Sequence, residues 1–180
     1  MAQKIFVAES PLSKFIFADS RVAWFWLIVR LYVGWEWVSA GWEKVTSPAW
    51  FGAQSGTALQ GFLKGSLTQA SGAHPNVQGW YADFLRFAVA AHPVIWAHVI
   101  SIGELAVGVA LIIGVFTGIA AFFGLFMNLN YLLAGTVSTN PILFTLGIGL
   151  VLAWRIAGWW GVDRWLLPRL GTPWQKVEVV

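Results

Sequence analysis

The stretch Val94 to Phe116, "VIWAHVISIGELAVGVALIIGVF", constrains this chain most, because Glu104 is its only acidic or basic residue. About 20 consecutive, mostly apolar residues are enough to cross the hydrocarbon core of a bilayer. Three further stretches satisfy the same criterion: about 22–42, 117–136 and 141–160. Backbone N–H and C=O groups in lipid must be satisfied within the segment, so apolar runs of this length are expected to be helices. Composition agrees. Hydrophobic residues make up 58% of the 180 and charged residues 11%, where a soluble domain carries about 25% charge. Many of the 13 Trp stand near the ends of the apolar runs, where interfacial belts form. The expected fold class is therefore all-α: a polytopic membrane protein, built as a four-transmembrane-helix bundle.

The connections set the organisation. "GVFTG" joins the second and third spans as a tight hairpin, and "GTVSTNP" is a turn with Pro141 in the first turn of the fourth. Lys4, Lys14 and Arg21 precede the first span, and Arg155, Arg164, Arg169 and Lys176 accompany the chain's end. The excess of basic residues predicts a cell-membrane protein with both termini cytoplasmic. The expected divisions are a cytoplasmic arm at 1–21, a membrane domain at 22–165 and a cytoplasmic tail at 166–180. "VSA" before Gly41 imitates a signal-peptide cleavage site, but Arg30 and Glu36 interrupt the apolar region, so the first span is read as uncleaved.

The external insert, 43–93, is long for a linker. "GTALQGFLKGSL" sets Leu59, Phe62 and Leu63 at helical spacing, with Leu67 one turn on. "VQGWYADFLRFAVAAH" sets Trp80, Phe84, Phe87 and Ala91 on one face. Two short amphipathic helices on the outer surface are expected. They either cap the bundle or form a lid over a site opening outward.

Charges inside the spans mark the candidate site. Counted along the helices at 1.5 Å per residue, Arg30 lies roughly 12 Å deep, and Glu104 and Asn128 roughly 15 Å. Charges at such depth face the interior and pair. The expected pair is Arg30 with Glu104, with Asn128 completing the hydrogen bonds, and these three are the candidate catalytic residues. Arg30, Gly34, Trp37, Gly41 and Lys44 share one stripe of the first helix, whereas Glu36 points about 120° away from Arg30. Ser101, Glu104 and Gly108 share a face of the second. Such a pair either fixes helix register or hydrogen-bonds the carbonyls of a quinone and relays its protons. Lys44, Trp37, Lys64 and Arg86 are the candidate substrate-binding residues. Lys44, Lys64 and Arg86 read more readily as solvated surface charge.

Other functions find less support. With no Cys in the chain, disulfides, thiolate ligands and cysteine-held clusters are excluded. His98 is the one histidine well inside a span, and a lone histidine there is more often hydrogen-bonded than a ligand, so no metal is predicted. A net charge of +3 without a basic run gives no nucleic-acid surface. Neither broken half-helices nor an inverted repeat is evident, as a transporter would show.

The residues also carry a resemblance. Arg30, Gly34, Gly41 and Lys44, then Glu104, Gly108, Gly114 and Thr117, then Gly161 and Asp163 in "AGWWGVDRW", resemble the patterns of the DoxX/DoxD-like membrane proteins. "SPAWFGAQSGTALQGFL" resembles the external insert of the DoxD branch. The resemblance implies a four-helix membrane bundle. It also implies a membrane subunit of a quinone-linked oxidoreductase, similar to the one that oxidises thiosulfate to tetrathionate, with quinone as a substrate. The expected partners are the lipid bilayer, other membrane subunits and a DoxA-like subunit. The alternative is a non-catalytic accessory subunit of a larger respiratory or photosynthetic complex.

Overall fold

The structure, a computed structural model, describes residues 9–170, and all regular elements among them are helical. Helix α1 (Pro11–Ala18) starts at Ser10, whose hydroxyl accepts from the Ser13 N–H. Asp19 then caps a short 3-10 turn, Ser20–Val22, that leads into α2 (Ala23–Thr46). The external insert follows as α3 (Pro48–Phe51), α4 (Thr57–Thr68) and α5 (Gly79–Phe84), the last continued by a π-helical turn, Leu85–Val89. Pro93 opens α6 (Pro93–Ile113). The remaining elements are α7 (Thr117–Leu133), α8 (Asn140–Leu152), α9 (Trp154–Ala157) and α10 (Asp163–Leu170).

Helices α2, α6, α7 and α8 pack in that cyclic order, each against the next and α8 back on α2. By length and composition, one helix, Pro93–Ile113, is long and apolar enough to cross a membrane; α7 and α8 are apolar but shorter. Helix α2 is longer, at 24 residues, and carries Arg30, Glu36, Glu43 and Lys44.

The α2–α6 seam is the closest contact of the bundle, and glycine makes it. A Cβ on Gly41 would sit 2.4 Å from the Leu105 nitrogen, and one on Gly108 2.4 Å from the Val38 nitrogen. Bare backbones meet here, as small-residue faces allow. These contacts fix the register. Gly41 lies level with Leu105, while Arg30 lies level with Leu111 and Gly114.

Four boundaries depart from expectation, and the first two are simple: the first helix runs on to Thr46 and the third ends at Leu133. The second span stops at Ile113, where Gly114 takes a left-handed conformation (φ 69°) and ends the helix. The fourth is not continuous to 160. Helix α8 ends at Leu152, α9 is a single turn, and the chain then bends so that residues 158–163 lie on the α6–α7 turn. The Val162 and Asp163 N–H groups donate to the Ile113 and Gly114 carbonyls at 3.2 and 2.8 Å. Residues 1–8 of the expected N-terminal arm and 171–180 of the expected tail lie outside the described residues.

The insert has its own apolar core. Leu59, Leu63, Val77, Tyr81, Ala82, Leu85 and Val89 pack with Ala97 of α6 and Ala134, just past α7. Leu59 and Leu63 face inward as their spacing predicts. The second helical stretch turns the other way: Tyr81, Ala82, Leu85 and Val89 are buried, and Trp80, Phe84, Phe87 and Ala91 are exposed. Both faces are apolar, so periodicity alone did not say which one the fold would take.

Candidate functional site

Arg30 and Glu104 do not pair. The glycine register sets Arg30 eleven residues from Gly41 along α2, about 16 Å, and Gly41 packs against the backbone of Glu104 and Leu105. Counting depth from the ends of each apolar run missed this, because the two helices are staggered: Arg30, seven residues into α2, lies level with Leu111 and Gly114 at the very end of α6. The polar groups instead form two clusters.

The outer cluster is centred on Glu104, which is 1% exposed. Its Oε2 accepts from Lys44 Nζ at 2.7 Å, and its Oε1 accepts from the Tyr131 hydroxyl. Lys44 reaches down from the outer end of α2, with its side chain 19% exposed and its ammonium 5.3 Å from the centre of the Trp50 ring. Trp37 stacks on Tyr131 with 6.4 Å between ring centres, and Phe62 meets Tyr131 edge-on at 6.3 Å. Helices α3 and α4 thus contribute Trp50 and Phe62 as an aromatic cover. The cluster holds a carboxylate, an ammonium and a phenol in one hydrogen-bonded chain, with Lys44 at its exposed edge. Such a set can hydrogen-bond a carbonyl oxygen and pass a proton to it.

The inner cluster surrounds Arg30, also 1% exposed. Its Nη1 donates to the Leu111 carbonyl at 2.9 Å and its Nη2 to the Trp160 carbonyl at 3.3 Å, while its buried Nε has no partner. Asp163 makes no direct ion pair with Arg30; its charge acts on the guanidinium across a gap. Its carboxylate accepts the Phe116 and Thr117 N–H groups at 2.7 and 2.8 Å, capping α7. Phe116 is left-handed (φ 47°), a conformation that costs a non-glycine residue of order 1–2 kcal/mol, and the Asp163 bond holds it there. Only glycine fits around the guanidinium. A Cβ on Gly114 would fall 1.8 Å from Arg30 Nη1, and one on Gly161 2.9 Å from the same atom. Every polar contact of this cluster is to the fold itself, which makes it a brace joining α2, the α6–α7 turn and the C-terminal segment.

The other candidates separate. Asn128 is buried on α7 and donates to Asn140 Oδ1 at 3.2 Å, so it ties α7 to the start of α8 rather than completing an Arg30–Glu104 network. Its own Oδ1 is unpartnered. Lys44 and Trp37 belong to the outer cluster. Lys64 is exposed and lines an open groove with Gln60, Leu63, Leu67, Thr68 and Ala90. Arg86 is exposed and pairs with Asp83 at 3.0 Å. His98 bonds Ser55 Oγ through Nε2 at 2.9 Å and packs on Phe51, as expected of a lone histidine facing another element. Among the described residues, no group of three or more His, Cys, Asp or Glu side chains is placed to hold a metal ion.

Sequence reading missed Tyr131 altogether. A signal existed: Tyr131 stands three residues after Asn128 and so shares its helical face. Asp163 was noticed only in the resemblance, without a role. Nearby in the insert, Tyr81 donates to the Asn130 carbonyl and to Asn130 Oδ1, both at 3.0 Å. Burial pushes its hydroxyl up to about 12, so it stays a donor at neutral pH.

Comparison with curated proteins gives no match, and comparison with solved structures gives none. A family model described as "TQO small subunit DoxD" matches residues 25–179, which takes in both clusters and the whole insert. The chain belongs to the DoxD family.

Proposed function

We propose that the chain is the membrane subunit of a thiosulfate:quinone oxidoreductase-type complex, and that the Lys44–Glu104–Tyr131 cluster receives the quinone headgroup. The family supports a membrane subunit of such a complex. The observation that carries the site is the buried carboxylate held between an ammonium and a phenol under an aromatic cover. In this reading α2, α6, α7 and α8 cross the cell membrane, both termini lie in the cytoplasm, and the insert faces outward. The exposed Trp residues support that arrangement: Trp42 and Trp80 flank one end of the bundle, and Trp24, Trp160 and Trp165 the other.

The reaction balances simply. Two thiosulfates joined as one tetrathionate release two electrons, and a quinone accepting two electrons and two protons becomes a quinol. The chain handles the headgroup and the protons. Lys44 retains N–H groups beyond the one given to Glu104 and donates to one quinone carbonyl. Tyr131 turns its hydroxyl from Glu104 to the quinone oxygen as negative charge develops there. Lys44 exchanges protons with the outer surface, and Glu104 keeps Lys44 and Tyr131 in place. Trp37, stacked on Tyr131, forms the wall of the site. For the headgroup to enter, Trp50 and Phe62 must swing aside, so the α3–α4 segment acts as a lid. Thiosulfate approaches the same outer face, and a DoxA-like subunit is the partner this reading requires. Arg30 and Asn128 are assigned to architecture.

Glu104→Gln keeps the shape and removes the charge. In the assembled complex it is expected to lower thiosulfate-dependent quinone reduction by about 10²-fold, the scale on which misplacing the donating groups slows a reaction, with normal membrane insertion. Unchanged reduction would sink the site. A second reading is an accessory subunit of a larger membrane complex, favoured by the exposed flank Ile119, Phe122, Phe123 and Phe126 of α7. It predicts that Glu104→Gln is silent and that substitutions along this flank release the chain from its complex.

A further inference from the structure

The helix formed by α5 and its π turn has two apolar faces, and among the described residues only one is packed against protein. Tyr81, Ala82, Leu85 and Val89 are packed into the insert core. On the opposite face Trp80 is 64% and Phe87 78% exposed, with Phe84 beside them. Three observations state what covers that face. The first is its level: Tyr81 bonds Asn130, three residues before the end of α7, and Leu85 and Val89 share a core with Ala97, four residues into α6. The helix therefore lies alongside the outer ends of α6 and α7, about 4.5–6 Å inward of those ends and level with their terminal turns. The second is continuity. Trp96 Nε1 donates to the Ala88 carbonyl at 3.1 Å and Phe84 meets Trp96 edge-on, so the exposed face runs into the exposed Val94, Ile95 and Val99 of α6. The third is charge. Asp83 and Arg86, the ionised residues of this segment, neutralise each other at 3.0 Å.

We propose that the Gly79–Val89 helix is an interfacial membrane anchor, with Trp80, Phe84 and Phe87 embedded at the headgroup–acyl boundary of the outer leaflet. An amphipathic helix of this kind sinks about 5–10 Å into that boundary, which matches its level on the bundle. Aromatic side chains are the residues that favour that zone. The anchor holds one side of the insert core, into which Leu59 and Leu63 of α4 also pack, while α3 lies between that core and α2. The proposal rests on the membrane reading of α6.

The chain has no Cys, so single cysteines can be introduced cleanly. Spin labels at Trp80→Cys, Phe87→Cys, Ser71→Cys and Ile102→Cys are compared in nanodiscs of phosphatidylcholine and phosphatidylglycerol. All four positions are exposed, so the labels leave the core untouched. Collisions with oxygen and with a water-soluble nickel chelate report depth. Positions 80 and 87 are expected to favour oxygen over nickel several-fold, position 71 to favour nickel, and position 102 to be the most protected from nickel. If 102 is protected while 80 and 87 collide with nickel as often as 71, the anchor is wrong and the membrane reading of α6 stands. If 102 is also open to nickel, the membrane reading itself fails, and the anchor with it.

Discussion

Two buried charges sit at different levels of the bundle, Glu104 seven residues along α6 from Leu111, whose carbonyl Arg30 holds, and the fold treats them differently. Around Arg30 the fold contributes backbone: two carbonyl acceptors, two glycines that clear space for the guanidinium (Gly114 and Gly161), and an Asp163 carboxylate already occupied by the α7 N–H groups, with Gly158 making room for it. Around Glu104 it contributes side chains that can move and exchange protons: Lys44 at the exposed edge, and Tyr131 under Phe62. A charge whose partners are all backbone cannot trade them for a ligand without loosening the fold. A charge whose partners are side chains can. The contrast separates a brace from a reactive site more sharply than burial, which is the same for both residues.

The largest test acts on the brace. Asp163→Ala strips the cap from α7, leaves two N–H groups without their acceptor and removes the charge nearest Arg30. Removing one partner from a buried charged network costs about 3–5 kcal/mol, so the thermal unfolding midpoint in detergent should drop steeply. Activity per folded complex should stay close to the parent. If stability holds and turnover collapses, the two clusters have been assigned the wrong way round.

Glu104→Gln should do the reverse, with roughly 10²-fold slower turnover, which corresponds to about 2.7 kcal/mol of barrier. Its stability loss is expected to be smaller than that of Asp163→Ala, because Lys44 can turn its ammonium toward the surface. Tyr131→Phe lies between: the stack on Trp37 survives and one donor goes. A loss of about 1–3 kcal/mol is usual when a buried charged acceptor loses a hydrogen bond. Here it should appear as turnover slowed roughly tenfold or more, measured beside an unchanged circular dichroism spectrum. A Tyr131→Phe enzyme at full rate would remove the phenol from the proton path.

The sequence disclosed the stripe of α2 well. Arg30, Gly34, Trp37 and Gly41 are all buried, Lys44 is half-buried, and Glu36 lies off the stripe. The inward face of α4 was also readable, as was the bonded state of His98, whereas the buried face of α5 was not. What helical angles give is the face of a residue, and angles are local. The pairing of charges depends on register between two helices, and register here is set where Gly41 and Gly108 let backbones touch at distances no other residue permits. Counting from span ends assumes that each helix starts and stops at the membrane boundary. Helices α2 and α6 are instead staggered, so that Arg30, seven residues into α2, meets the last turn of α6 while Glu104 stands nine residues before that helix ends. Lys44 was assigned to the surface because of its place near the end of α2, yet a lysine's four-carbon stem lets the ammonium reach inward toward a buried carboxylate.

The smallest effect is expected where sequence reasoning placed substrate contacts far from both clusters. Arg86 is exposed and already paired with Asp83 one helical turn away, an arrangement worth about 0.5 kcal/mol or less. Arg86→Gln should therefore leave stability unchanged within that margin. It also leaves Asp83 uncompensated beside the proposed anchor, which adds one negative charge at the outer surface. Thiosulfate is a dianion, so KM for thiosulfate should rise slightly, by less than about twofold, and the rise should vanish at high salt, where exposed charges are screened beyond roughly 3 Å at 1 M. A KM increase of tenfold that survives salt would mean that Arg86 contacts the anion directly, and that the outer site extends from Glu104 across the insert rather than ending under its lid.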